Sequence, residues 1–410
     1  MANVSSSNGL EKRPKLRFPG FDEPWNESKL SACFAKNIKK NTDGRISNVI
    51  CNSAKMGLIP QRDYFDKDIA NSDNTSGYYI IEHNDFVYNP RKSSDAPYGP
   101  ISRYAYPDAG IVSPLYLCFR AKGDVDTNFF EWYFRSSAWH RYIYMTGDSG
   151  ARHDRVSIKD DDFFSMPIRF PSSIEQKKIA SFLNAIERRI SSQQLLVDNL
   201  KKYKRGAVRC LLSAKSCPLR NARWTTAKMG ELGSFVKGAP LSKADISEDG
   251  TPFILYGELY TTYNEVVTSV KRRTQAQVDE TFLSRVGDVV IPTSGETPEE
   301  ISTASCVMLP NVILAGDLYI FRGDKVDGRI MSYLLNHVVN AKIARIAQGK
   351  SVVHIQASEL CKLTLTYPDK STQNTIIGLL SSLDDRIMNE ENALAFLSDL
   401  KEGLLQQLFI

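Results

Sequence analysis

Residues 172–213 read SSIEQKKIASFLNAIERRISSQQLLVDNLKKYKRGAVRCLLS, and this stretch decides the fold. Its apolar side chains recur at alternating steps of four and three, which is typical of a long helix that packs along another helix. This seam consists of Ile179, Leu183, Ile186, Ile190, Val197 and Leu200, and it continues through Ala207 and Leu211. Ser172 and Glu175 form an S-x-x-E capping box, which predicts where the helix begins. At 1.5 Å per residue the helix would be roughly 60 Å long.

The same pattern returns 197 residues later without a gap. The second seam consists of Ile376, Leu380, Leu383, Ile387, Leu394 and Leu397. Polar residues interrupt both seams at matching places, as Gln193 and Lys204 in the first copy and as Glu390 and Lys401 in the second. Any two coiled-coil segments share apolar spacing. The matched polar breaks and the matched glycine, Gly206 in the first copy and Gly403 in the second, indicate an internal duplication.

Length and composition limit the class of protein. A chain of 410 residues has room for two or three hydrophobic cores. The sequence shows no signal peptide and no run as long as a membrane span. Seven cysteines without a C-x-x-C pair favour reduced thiols in a cytoplasmic protein. The five histidines lack metal-ligand spacing, so the sequence predicts no metal site.

The net charge of +5 is divided unevenly, because residues 173–215 carry +7 and residues 369–410 carry −4. Opposite charges favour pairing between the two helices. Both charged faces could instead be ordinary solvated surface, and the basic helix could also face DNA phosphates or an acidic partner.

The direction of pairing follows from the polar breaks. A parallel pairing in register would set Lys204 against Lys401, whereas tandem repeats related by a pseudo-twofold axis place their helices antiparallel. Full antiparallel overlap puts Lys204 near Leu383 and Lys401 near Ile186. There each aliphatic stem would pack while its ammonium group reaches water.

The globular segments between the helices also repeat. Asp85 and Asp288 precede matching apolar strands, and Arg120 and Arg322 end another matching pair of strands. We therefore predict tandemly duplicated α/β (α+β) domains alternating with two long, antiparallel, coiled-coil-like helices. The predicted boundaries are a flexible lead over 1–15, a first domain over 16–171, a central helix over 172–215, a second domain over 216–368 and a C-terminal helix over 369–410.

The loops of the two domains differ, which suggests related surfaces that bind different targets. Their irregular segments are rich in Arg, Lys, Ser, Thr and Tyr, the residue types that contact phosphates and base edges. A single cluster of this kind is more often plain solvated surface. The candidate DNA-binding residues are Lys55, Arg91, Lys92, Ser93, Arg103, Tyr104, Arg152, His153 and Arg155 in the first domain, and Lys237, Lys243, Tyr260, Tyr263, Thr293, Ser294, Lys350 and Ser351 in the second.

Motifs for catalysis are missing from the sequence. Gly349-Lys350-Ser351 lacks the upstream glycine of a phosphate-binding loop, because position 344 is alanine. The sequence also contains no G-x-G-x-x-G, H-E-x-x-H, G-x-S-x-G or N-P-P-[FY] motif. Helix surface and loop explain the carboxylate runs at 160–162 and 384–385. We therefore predict no catalytic residue on this chain.

Two variable domains alternating with two similar long helices resemble the specificity subunit of a Type I restriction–modification enzyme. The residues IEQKKIA at 174–180 resemble the E-Q-x-x-I-A helix start of that family, and Gln373 keeps the glutamine in the second copy. ERRI at 187–190 and DDRI at 384–387 match the family's acidic-x-x-Ile pattern, and Trp25 precedes the first strand as it does there.

This resemblance implies a non-catalytic subunit in which each domain is a target recognition domain that reads one half of a split, asymmetric sequence in double-stranded DNA. The helices would set the spacing and dock two modification subunits, which methylate adenine with S-adenosylmethionine. Restriction subunits with ATP-driven translocase activity would join that core, so this chain itself would hold no cofactor. Two alternatives stay open: a specificity subunit of another multi-subunit restriction–methylation system, and a helical protein–protein adaptor without DNA binding.

Overall fold

The computed structural model describes residues 13–64, 75–148, 154–349 and 352–410. The chain forms two compact units, of which unit 1 is Met1–Gln193 with Ala393–Ile410 and unit 2 is Gln194–Asn392. The predicted boundaries treat the helices as separate segments, whereas these units each take one half of both long helices. Most of the predicted lead, residues 1–12, lies outside the described residues.

The elements of unit 1 combine short strands with helices laid over them. In chain order they are β1 (Asn26–Lys29), α1 (Leu30–Cys33), β2 (Phe34–Lys36), β3 (Ile50–Ser53), β4 (Gly57–Pro60), α2 (Gln61–Tyr64), β5 (Tyr79–Ile81), β6 (Phe86–Tyr88), β7 (Ile101–Arg103), β8 (Gly110–Val112), β9 (Leu117–Ala121), α3 (Thr127–Arg135), α4 (His140–Thr146), α5 (Asp160–Phe164), β10 (Pro167–Phe170) and α6 (Ser173–Leu211), which continues into unit 2. The main sheet is antiparallel with the order β2-β9-β6-β7. Separate antiparallel pairs are β1 with β10, β3 with β4, and β5 with β8.

Aromatic side chains form the core of unit 1. The ring of Phe34 stands edge-on to Phe86 and Phe119 of the main sheet, with centroid distances of 5.4 Å to both. It stands edge-on to Phe130 of α3 at 5.0 Å. Each such pair adds about 0.5–1.5 kcal/mol beyond the burial of its area. Asp126 accepts hydrogen bonds from two backbone N–H groups at the start of α3 and so fixes where that helix begins over the sheet.

The first half of α6 packs against the C-terminal end of the second long helix in unit 1. Ile179 lies in the same buried cluster as Leu408, and further along α6 Glu187 forms an ion pair with Lys401 at 3.0 Å. The residue numbers rise on one helix as they fall on the other, so the two halves are antiparallel. The sequence placed Lys401 near Ile186, whereas its observed partner is the next residue, Glu187.

Unit 2 contains the remaining elements. After the second half of α6 they are β11 (Trp224–Lys228), α7 (Met229–Leu232), β12 (Ser234–Lys237), β13 (Thr251–Leu255), α8 (Glu258–Thr261), β14 (Val266–Val267), β15 (Arg272–Thr274), β16 (Asp288–Pro292), β17 (Ser294–Gly295), α9 (Pro298–Ile301), β18 (Ser305–Val307), β19 (Ile313–Ala315), β20 (Leu318–Arg322), α10 (Gly328–His337), α11 (Asn340–Ile346), β21 (Val353–His354), α12 (Ala357–Lys362), β22 (Thr364–Pro368) and α13 (Lys370–Leu408), with short 3-10 turns at Lys243–Asp245 and Glu280–Phe282. The main sheet has the order β12-β20-β16-β18-β14, and its first three strands pair as β2, β9 and β6 do in unit 1. The smaller sheets are β15-β13-β19, β11-β22 and β17-β21.

The repeated scaffold includes a matching ion pair in each unit. Asp85, just before β6, contacts Arg120 of β9 at 2.6 Å, and Asp288 of β16 contacts Arg322 of β20 at 3.0 Å. Each aspartate also accepts the backbone N–H of the residue three positions before it. The residue directly before each aspartate has a positive φ, 72° in unit 1 and 95° in unit 2. The same turn therefore leads into the same strand in both copies.

The glutamine shared by both helix starts has the same role in both copies. The side-chain amide of Gln176 donates to the carbonyl of Pro171 at 2.9 Å, and that of Gln373 donates to the carbonyl of Pro368 at 2.8 Å. Both glutamines are buried. Because a buried carbonyl without a partner costs about 1–3 kcal/mol, a glutamine at this position stabilises the junction between the last strand and the long helix.

The two long helices are also antiparallel in unit 2. Lys201 pairs with Glu391 at 2.6 Å, and Lys204 pairs with Asp384 at 2.5 Å. The predicted antiparallel pairing is thus confirmed within each unit. The observed register is one residue from the predicted one, because Lys204 meets Asp384 and not Leu383.

The predicted exposure of the Lys204 head group is wrong. The residue is 8% exposed, and its Nζ lies 2.8 Å from Glu265 and 2.5 Å from Asp384. His337 contacts the second oxygen of Glu265 at 2.5 Å, and the Tyr333 hydroxyl donates to Asp384 at 2.7 Å. Burial alone would raise the pKa of Glu265, but the hydrogen bond with His337 and the charge of Lys204 lower it to about 2. A buried ammonium group needs such partners, since an unpaired buried charge is strongly unfavourable.

The residues of the predicted seam all face inward. In unit 1 and unit 2 these residues are buried or half-buried: Ile179, Leu183, Ile186, Ile190, Val197, Leu200, Ile376, Leu380, Leu383, Ile387, Leu394 and Leu397. Among the described residues, no helix is both long enough and apolar enough to cross a membrane.

Candidate nucleic-acid interface

Five of the candidate residues in the first domain line one cleft of about 720 Å³. They are Lys55, Arg91, Lys92, Ser93 and Arg155. Four of the five are cationic, and one carboxylate, Asp95, joins them with a long 3.7 Å contact to Lys55. Both partners of that contact are largely exposed, so the pair is weak and the cleft keeps its positive character.

Two arginines of this cleft lie directly opposite each other on neighbouring backbone segments. Arg91 and Arg155 form an antiparallel bridge, which is held by hydrogen bonds from Lys92 N to Asp154 O at 2.8 Å and from Val156 N to Pro90 O at 2.9 Å. Like charges placed directly opposite each other on paired strands are destabilising. Such an arrangement is relieved by an anion or by the acceptor atoms of a base.

Both arginines affect the pKa of Tyr116, which lines the cleft. Burial raises the pKa of the Tyr116 phenol, and the guanidinium groups of Arg155 and Arg91 act against that rise. Both arginines are exposed, and within the described residues neither has a carboxylate partner. They are therefore available to an external acceptor.

Arg103 and Tyr104 do not belong to this cleft, which corrects the sequence-based assignment. Arg103 lies on β7 and is held by Glu131 of α3 at 2.6 Å. Tyr104 is completely buried, and its hydroxyl donates to the carbonyl of Asp108 at 2.9 Å. A side chain closed off by the core cannot contact DNA in the folded domain.

The candidates of the second domain fall into two neighbouring clefts. Lys237, Thr293 and Ser294 line a cleft of about 470 Å³, and Lys243 and Tyr260 line another of about 740 Å³. The two clefts share a wall formed by Leu241, Gly316 and Asp317.

Tyr263 lies outside both clefts, because its hydroxyl accepts the backbone N–H of Lys271 at 3.2 Å and its ring packs against the core. Arg152, His153, Lys350 and Ser351 lie outside the described residues.

The smaller cleft also contains two residues that the sequence did not single out. His354 lies directly opposite Ser294 on the paired strands β21 and β17, and its Nδ1 is 3.1 Å from the Ser294 hydroxyl oxygen. That hydroxyl donates to Asp317 at 2.8 Å. No local sequence pattern indicates which side chain of strand β21 faces the cleft.

These three residue types could suggest a nucleophilic triad, but their connections are wrong for one. In a triad the carboxylate holds the histidine, and the histidine accepts the serine proton. Here the carboxylate of Asp317 takes the hydroxyl proton of Ser294 directly, and no contact joins Asp317 to His354. The hydrogen-bond connections of this cluster therefore differ from those of a catalytic triad.

Ser294 and His354 occupy the position in the second domain that Arg91 and Arg155 occupy in the first. Arg91 and Ser294 each lie six residues after the aspartate of the repeated ion pair. The N–H of Ile355 donates to the carbonyl of Thr293, the residue before Ser294, at 3.1 Å. In the first domain the N–H of Val156 donates in the same way to the carbonyl of Pro90, the residue before Arg91. We name Ser294 with His354, and Arg91 with Arg155, the cleft pairs. The scaffold repeats while the side chains that it presents differ.

The sequence of the second domain matches a known family. Residues 221–395 match the model described as Type I restriction modification DNA specificity domain. This match covers the second domain and not the first. No curated protein sequence matches this chain significantly.

Solved structures share the fold of this chain at low sequence identity. A chain from a study of complex assembly and conformational transition of the type I R-M system is 16% identical, with a TM-score of 0.60 over 96% of this chain and 98% of that one. The Type I restriction–modification S subunit from M. genitalium is 14% identical, with a TM-score of 0.56 over 97% of this chain and 99% of that one.

The family match begins after α6, so it covers the second domain and part of α13. The first domain shares the repeated scaffold of the second, including the ion pair of Asp85 with Arg120 and the amide of Gln176 on Pro171. The two domains of this chain differ in the residues that line their clefts.

Proposed function

We propose that this chain is the non-catalytic DNA-specificity subunit of a Type I restriction–modification complex, and that each domain reads one half of a bipartite, asymmetric DNA target. The observation that carries the proposal is one repeated scaffold presenting two different cleft pairs. Two arginines offer only hydrogen-bond donors, whereas a serine and a histidine offer a mixed set. Equivalent positions with different donor and acceptor patterns suit two different half-sites.

The remaining parts of the proposal rest on the family match of the second domain. The two long helices would set the distance between the half-sites and would dock two modification subunits. S-adenosylmethionine would be bound by those subunits, and ATP by restriction subunits that join the complex. The cationic cleft of the first domain supports DNA as the ligand, since arginine and lysine supply most contacts to phosphates and to guanine.

The proposal is tested by mapping methylated adenines in genomic DNA from cells that express this chain with its modification subunits. We expect one bipartite, asymmetric motif. A chimera then separates the halves: residues 16–171 are replaced by those of a related subunit together with the matching segment 393–410. The C-terminal segment must accompany the domain because Phe409 packs against Trp25 and Phe129 in the core of unit 1.

The chimera should change one half-site and leave the other intact. A change in both halves would contradict independent reading. If duplex DNA of random sequence binds the purified chain negligibly, with no steep weakening as salt rises, the chain is an adaptor and the proposal is wrong.

A further inference from the structure

The hydrogen atoms of the second cleft pair can be assigned from its neighbours. The hydroxyl of Ser294 has one proton, and it donates that proton to Asp317 at 2.8 Å. A carboxylate only accepts, so the proton cannot also lie on the line to His354. The 3.1 Å contact between the hydroxyl oxygen and Nδ1 of His354 must therefore be a hydrogen bond that Nδ1 donates.

This assignment determines whether the second ring nitrogen of His354 donates or accepts a hydrogen bond. In a neutral imidazole one nitrogen donates and the other accepts, and which one accepts is set by the hydrogen bond that the other makes. With Nδ1 donating to Ser294, Nε2 of neutral His354 is an acceptor. The serine is buried at 5% exposure while the histidine is exposed, so the hydrogen-bonded side is covered and the histidine remains accessible from solvent.

We propose that His354 is a specificity-determining residue of the second domain, and that its Nε2 accepts a hydrogen bond from the amino group of an adenine or a cytosine in the major groove. Among the base edges in that groove, only these two bases present an exocyclic amino donor. Guanine and thymine present oxygen acceptors there, which an acceptor nitrogen rejects. This inference rests on the proposed function, because it assumes that the cleft faces DNA.

The charged groups around the cleft are consistent with this role. Lys237 of β12 and Asp317, just before β20, line the same cleft, and both are exposed. Lys237 can neutralise a phosphate next to the base that is read. Asp317 acts on His354 only through Ser294 and is therefore a positioning residue.

The cleft pair of the first domain provides an internal comparison. At the equivalent place it has Arg91 and Arg155, which donate and cannot accept. The first half-site should then require a guanine, with its O6 and N7 acceptors, where the second requires an adenine or a cytosine. The same backbone position would read opposite hydrogen-bonding patterns in the two halves.

The experiment selects bound half-sites from duplex DNA with both halves randomised, using the full chain assembled with its modification subunits at about pH 8, where free histidine is neutral. The wild type should prefer adenine or cytosine at one position of the second half-site by roughly 5- to 150-fold. His354→Ala should abolish that preference. His354→Gln, whose amide both donates and accepts, should reduce it.

Asp317→Ala gives the decisive result. Without the carboxylate, the Ser294 hydroxyl can donate to Nδ1, and the imidazole proton moves to Nε2. The preference at that position should then reverse toward guanine or thymine, while Ser294→Ala should only relax it. Thr226→Ala serves as the control, because Thr226 forms an exposed hydrogen bond with Thr366 on β11 and β22, and selection should stay as in the wild type.

Two results would overturn the inference: His354→Ala and His354→Gln selecting as the wild type does, or Asp317→Ala and Ser294→Ala behaving alike. If the wild-type complex selects no bipartite sequence at all, the proposed function fails instead, so the two failures can be told apart.

Discussion

Replacing Lys204 with methionine should strongly destabilise unit 2. The change leaves two carboxylates, Glu265 and Asp384, without the ammonium group that contacts both. Removing one partner of a buried ion pair costs about 3–5 kcal/mol. The lowering of the Glu265 pKa from its ordinary 4.5 to about 2 gives an independent figure of about 3 kcal/mol, part of which comes from His337. We therefore expect a loss of about 3 kcal/mol.

The duplication supplies a matched control. Lys401 occupies the same seam position in the second helix, but its ion pair with Glu187 leaves the two side chains 24% and 38% exposed. An ion pair with this exposure is worth about 0.2–1 kcal/mol. Lys401→Met should therefore cost less than 1 kcal/mol in unit 1.

Hydrogen exchange measured by mass spectrometry on peptides of each unit gives the two opening free energies separately, which a single melting curve cannot do for a chain with two units. The triple variant Lys204→Met, Glu265→Leu and Asp384→Leu should recover much of the loss, because it leaves no unpaired carboxylate. Equal costs for Lys204→Met and Lys401→Met would refute the reasoning, as would a triple variant less stable than the single one.

Other predictions concern pH, DNA binding and spacing. Because the pKa of Glu265 is lowered and that of Lys204 is raised above its ordinary 10.5, the network should stabilise unit 2 fully between the ordinary values of 4.5 and 10.5 and lose this effect outside them. The opening free energies of unit 2, measured by hydrogen exchange on the wild type and on Lys204→Met, should converge at both extremes of pH; a constant difference would contradict this. Changing both Arg91 and Arg155 to alanine should weaken complex binding to the mapped target roughly 5- to 150-fold and relax only the first half-site, measured by the same selection; a relaxed second half-site would exclude independent reading. One heptad added to each long helix at facing seam layers adds about 10 Å and should lengthen the DNA spacer by about three base pairs; an unchanged spacer in the methylation map, with activity retained, would mean that the helices only dock partners.

The periodic parts of the structure were predictable from the sequence because the forces behind them are local. Apolar steps of four and three predict a seam wherever a helix is long enough, and the seam residues are indeed buried or half-buried. The polar break at Lys204 was visible too. Its partner Glu265 was not, because that residue lies 61 positions away at the start of a short strand and only the folded domain brings it to the helix. Asp384 was assigned to helix surface for the same reason.

The candidate interface was predictable by residue type but not by position. Arg91 lines a cleft because loops that follow buried strands stay accessible. Tyr104 is buried instead, because burial depends on the elements packed over a residue, which no local pattern shows. His354 was missed because strand pairing cannot be read from the sequence. The cross-strand register of the folded domain makes it equivalent to Arg155 of the first domain.

The two domains share an ion pair with a buried aspartate but differ in their exposed cleft residues, and the reason is that water reaches only the exposed residues. The carboxylates of Asp85 and Asp288 are buried, and a buried carboxylate that loses its arginine costs several kcal/mol. Both copies therefore keep the same charged pair with Arg120 and Arg322. The exposed members of the cleft pairs face water, where a change of side chain usually alters stability by less than about 0.5 kcal/mol. A duplicated domain can thus replace its exposed donors and acceptors without unfolding. Its recognition residues should be sought where the two copies have the same backbone and different exposed side chains.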